Sequence, residues 1–144
     1  MATELTGTYT YRSFHNRPEP VDDFNQLRFG QLELRLAVDA GDQVTGLLVF
    51  PSAPGTEPLV MDVSGRTWAG PPERLTFTWR GRSNTPIADF HYEYDGFVLP
   101  QWEAGVGQRV TVAGTVLRAA DHGSGATLAR AGYTASFLAV RRDA

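Results

Sequence analysis

Apolar and polar residues alternate with a period of two along most of the chain, and this alternation recurs in eight separate runs. The first spans 5–14, with Gly7, Tyr9 and Tyr11 on one face and threonines on the other. The second, 32–38, sets Leu32, Leu34, Leu36 and Val38 against Glu33 and Arg35. Further runs cover 43–50, 59–68, 74–80, 87–98, 109–118 and 133–141. Turn-forming clusters separate them, such as Ala40-Gly41-Asp42, the 51–55 segment and Pro71-Pro72. Helical periodicity is nearly absent.

Eight short, evenly spaced strands predict an all-β domain over 1–144. The architecture expected is an eight-stranded antiparallel up-and-down barrel, with a β-sandwich as the alternative. Closure favours the barrel because it removes sheet edges, and eight strands leave room for packed side chains or one small ligand. Two connections are too long for hairpins. Residues 15–27 carry Phe24 and a candidate helical turn over 20–25, and residues 100–108 carry Trp102. Ordered loops with apolar anchors often cover a cavity mouth.

The faces of the sixth run decide where chemistry can lie. Asp89, His91, Glu93 and Asp95 share one side of that strand, and Phe90, Tyr92 and Tyr94 the other. An inward polar row could bind a divalent metal or transfer protons. An inward aromatic row leaves those charges solvated. The second arrangement is preferred, because burying unpaired carboxylates costs several kcal/mol whereas burying aromatic rings is favourable. The interior is then expected to gather Tyr9, Tyr11, Phe77, Trp79, Phe90, Tyr92, Tyr94, Tyr133 and Phe137, with Trp102 and Phe24 from the long loops. A core so rich in Tyr and Trp suits a flat or polyunsaturated ligand.

The chain ends add a family likeness. Gly7-Thr8-Tyr9 on the first strand and Arg141-Arg142 on the last resemble the calycins (lipocalins and their relatives), in which a first-strand Gly-x-Trp packs beneath an Arg from the final strand. Tyr9 stands here in place of the Trp. The resemblance implies a closed barrel with a ligand-binding interior and no catalytic residues.

Composition narrows the functions. A net charge of −3 offers no basic face for nucleic acid. All basic residues are Arg, and the absence of Cys excludes disulfides, zinc thiolates and thiol catalysis. The first seven residues lack the pattern of a signal peptide, and no apolar run approaches the roughly 20 residues of a membrane span. A cytoplasmic protein without membrane or nucleic-acid partners is therefore expected, and a homodimer is compatible with the chain. The Gly-rich stretches at 105–110 and 123–125 lack the spacing of dinucleotide and nucleophile-elbow motifs. No metal or cofactor is expected.

Three histidines remain. His15 could lean over a cavity mouth, His91 belongs to the polar row, and His122 sits in a turn-like linker. Arg12, Arg66, Arg80 and Arg118 are read mostly as outer-face residues. The function expected is a barrel enclosing a hydrophobic or aromatic small molecule, either as a cofactor-independent cyclase or isomerase or as a non-catalytic carrier or sensor. In the enzyme, Tyr92, Tyr94 and Trp79 would be the donors that steady developing charge.

Overall fold

The computed structural model describes residues 5–70, 72–99 and 109–142. Eight strands follow in order: β1 (Gly7–His15), β2 (Arg28–Val38), β3 (Gln43–Val49), β4 (Val60–Trp68), β5 (Arg74–Gly81), β6 (His91–Val98), β7 (Thr111–Arg118) and β8 (Thr134–Arg141). Each pairs antiparallel with its neighbours in sequence. β8 returns to pair with β1, setting Tyr9 opposite Arg141 and His15 opposite Ala135. The sheet is therefore a closed up-and-down barrel, not a sandwich.

Most strand bounds fall within one or two residues of the alternation, and two depart from it by four. β2 begins at Arg28 rather than Leu32, because β1 pairs it back to that residue across a bulge at Ser13/Phe14. β6 begins at His91 rather than Ile87. The preceding residues form turns instead, with Ala88 N–H donating to Thr85 O and Phe90 N–H to Ile87 O. In the first long connection the helical turn is a short 3-10 segment, Phe24–Leu27, capped by the Asp23 carboxylate on Asn25 N–H.

In this topology one barrel end collects the C-terminal ends of the odd strands and the starts of the even ones. The opposite end is packed shut. Leu5 and Tyr9 are fully buried there, the Tyr9 hydroxyl donating to Leu5 O at 2.8 Å. Leu36, Val44, Leu75 and Val112 pack into the same core. Phe77 and Phe137 fill the middle: Phe77 stacks on Tyr94 with centroids 4.6 Å apart, and Phe137 meets Tyr94 edge-on at 5.1 Å. Small residues make room for these rings. A Cβ on Gly96 would come within 2.9 Å of the Phe137 ring.

Candidate functional site

Above that floor the barrel is hollow. A chamber of about 500 Å³ is lined by Tyr11, Trp79, Phe90, Tyr92 and Tyr94, together with smaller apolar residues such as Leu32 and Met61. Strand pleating puts them there. Tyr92 and Tyr94 alternate with His91, Glu93 and Asp95, which remain on the outer surface. The outward row is engaged with its neighbours: His91 with Glu93, Glu93 with the Thr78 hydroxyl and Asp95 with Arg74.

Several aromatic residues expected in the interior do not line the chamber. Tyr9, Phe77 and Phe137 are buried, but lie in the packed floor. Tyr133 precedes β8 at the rim, where it is 36% exposed and its hydroxyl hydrogen-bonds His15 Nδ1. Phe24 is 59% exposed and stacks on Phe14 at 4.2 Å, because the 15–27 connection packs against the wall instead of dipping into the mouth. Trp102 lies outside the described residues. His15 sits at the rim against Phe29, 4.4 Å between centroids. Burial, then Arg17 and Arg118, lower its pKa from 6.5.

Within the chamber the hydroxyls of Tyr11 and Tyr94 bond each other at 2.7 Å. Burial pushes both pKa values well up, so both phenols stay protonated. The indole N–H of Trp79 is buried and has no acceptor among the described residues. The third hydroxyl is differently placed. Tyr92 lies between Arg118 Nε at 3.2 Å and His122 Nε2 at 2.8 Å. A guanidinium only donates, so its N–H points at the phenolic oxygen and leaves the phenolic hydrogen free for His122. Burial, followed by the positive Arg118, lowers the His122 pKa, with Asp89 partly opposing. The imidazole is therefore held neutral, with Nε2 as an acceptor.

Arg118 and His122 were not expected here. Arg118 is 9% exposed and faces inward, correcting its assignment to the outer face. The signal was present, since Arg118 is in phase with the inward Val112, Gly114 and Val116. His122 carried no such signal. The connection between β7 and β8 folds back over the mouth through a His122–Ala129 bridge, with Gly123 N–H donating to the Asp89 carboxylate at 3.1 Å. Phe90 then stacks on the imidazole at 3.8 Å.

No protein-family model, curated protein or solved structure significantly matches the chain. Among the described residues, no three or more His, Cys, Asp or Glu are grouped to hold a metal ion, and no helix is long and apolar enough to cross a membrane. A closed barrel with a buried aromatic cluster around a chamber is compatible with binding a ligand.

Proposed function

We propose that the barrel takes up an apolar, ring-bearing small molecule and isomerises or cyclises it without a cofactor. The observation that carries this reading is the Tyr92 hydroxyl, set between Arg118 and a neutral His122 in an otherwise largely apolar chamber. His122 takes the Tyr92 proton as the phenolic oxygen takes one from a substrate carbon. Returning the proton to a second carbon shifts the double bond, so one proton moves within the substrate and no co-reactant is consumed. Arg118 steadies the negative charge that gathers on oxygen during transfer. Tyr94 and Trp79 form the wall that holds the substrate against Tyr92. The calycin likeness supports a ligand-holding interior, with Arg141 in register with Tyr9 at the closed end.

A second reading is a carrier that returns its ligand unaltered. It is favoured by the Tyr11–Tyr94 pair, whose hydroxyls are spent on each other and present a neutral wall. One experiment separates the two. Purified protein is incubated with a small-molecule extract of the producing cells, and products are followed by liquid chromatography and mass spectrometry. Conversion of one species to another of identical mass is expected. Tyr92→Phe should slow it about 10²- to 10⁴-fold, while native mass spectrometry still shows bound ligand. A ligand recovered unchanged from the wild-type protein would establish the carrier instead.

A further inference from the structure

Arg118 brings a permanent positive charge into an apolar chamber. Its Nε–H meets the Tyr92 hydroxyl and its Nη1 meets Arg130 O, both at 3.2 Å and both neutral acceptors. Among the described residues no carboxylate forms an ion pair with it. Two carboxylates of the β7–β8 connection and its support bond backbone instead, Asp89 accepting from Gly123 N–H and Asp121 from Ala131 N–H. A guanidinium cannot shed its proton, so a residue only 9% exposed holds a charge that no ion pair balances, met by neutral acceptors and by the Tyr92 and Tyr133 rings 5.8 and 5.1 Å away.

We infer that the ligand is a carboxylic acid, its carboxylate seated on Arg118 and its apolar body filling the chamber beside Tyr11, Leu32 and Tyr94. The guanidinium fork matches a carboxylate in a way that a hydroxyl or ketone does not. A single cation among apolar walls balances one negative charge, which favours a carboxylate over a phosphate dianion. The acid group also fixes polarity: it holds one end of the molecule at Arg118, beside the Tyr92 oxygen, and leaves the apolar end toward the floor. This inference rests on the chamber being the ligand site proposed above.

Two fluorescent probes with the same ring and chain, 1-pyrenebutyrate and 1-pyrenebutanol, test both statements at once. The wild-type protein should bind the acid at least about tenfold more tightly than the alcohol. Arg118→Met should bring the affinities for acid and alcohol within about twofold of each other. Wild-type protein that binds the alcohol as well as or better than the acid overturns the carboxylate assignment alone, as does an Arg118→Met variant with the preference intact. Binding of neither probe overturns the chamber as a ligand site, and this inference with it. Should Arg118→Met not fold, the wild-type preference between acid and alcohol still decides.

Discussion

At the scale of single residues, the site is a question of which hydroxyl is free to react. Tyr11, Tyr92 and Tyr94 all line the chamber, yet two of them satisfy each other and only Tyr92 is flanked by a cation and a base. The role of His122 depends on its neutrality, and that gives a pH signature. Its folded-state pKa lies below the ordinary 6.5. The unfolded chain therefore binds more protons in the window between the folded value and 6.5, and stability falls as pH drops through it. Below that window the protonated ring also becomes a donor at Nε2 and loses the Tyr92 proton. His15 shifts in the same direction and contributes to the same slope. Denaturation midpoints measured between pH 7.5 and 5 should fall with acidification, and His122→Gln should flatten the slope. An unchanged slope in that variant would count against a neutral His122. Among residues, period two correctly separated the inner aromatic row of β6 from its charged row. The same period places Arg118 inward, against the usual solvation of an Arg on a strand.

At the scale of elements, the piece that completes the site is the connection between β7 and β8. The Asp89 carboxylate on Gly123 N–H, the His122–Ala129 bridge and the Asp121 carboxylate on Ala131 N–H hold it over the mouth. Asp89→Ala removes the first of these from the exposed end of the connection. Hydrogen exchange of amides in 119–132 should accelerate about tenfold, while the core strands keep their protection. Uniform acceleration through the strands would show instead that the connection is not a separate unit. The sequence suggested two other segments as covers, 15–27 and 100–108. The first packs Phe24 on Phe14 and the second lies outside the described residues. Apolar anchors in a loop indicate that it docks somewhere. They do not indicate where, because the docking surface is assembled from strands distant in sequence.

At the scale of the molecule, the barrel is packed core toward one end and chamber toward the other, and small residues help set that division. A methyl on Gly114 would lie 2.1 Å from Asp95 O and 2.5 Å from Gly96 Cα. Both contacts are with backbone, so the β6–β7 ladder would have to shift. Gly114→Ala should therefore cost about 1–3 kcal/mol in denaturant unfolding. A variant as stable as the wild type would show that the ladder yields freely. Closure also explains why the aromatic residues divide into floor and wall: rings packed against each other toward the closed end stack into a solid, while those near the mouth face the chamber.

The sequence by itself determined the strands, their number, and which side of most of them is apolar. Those are consequences of two-residue pleating and of the cost of burying charge, both local and readable in order along the chain. Tertiary structure decided closure, since the pairing of β1 with β8 joins residues at opposite ends of the chain. It also decided how far the interior is filled, because that depends on the depth at which each ring meets its neighbours. The placing of His122 beside Tyr92 belongs to tertiary structure as well. Thirty residues separate the two, and only the fold of the connection over the mouth brings the imidazole to the phenol.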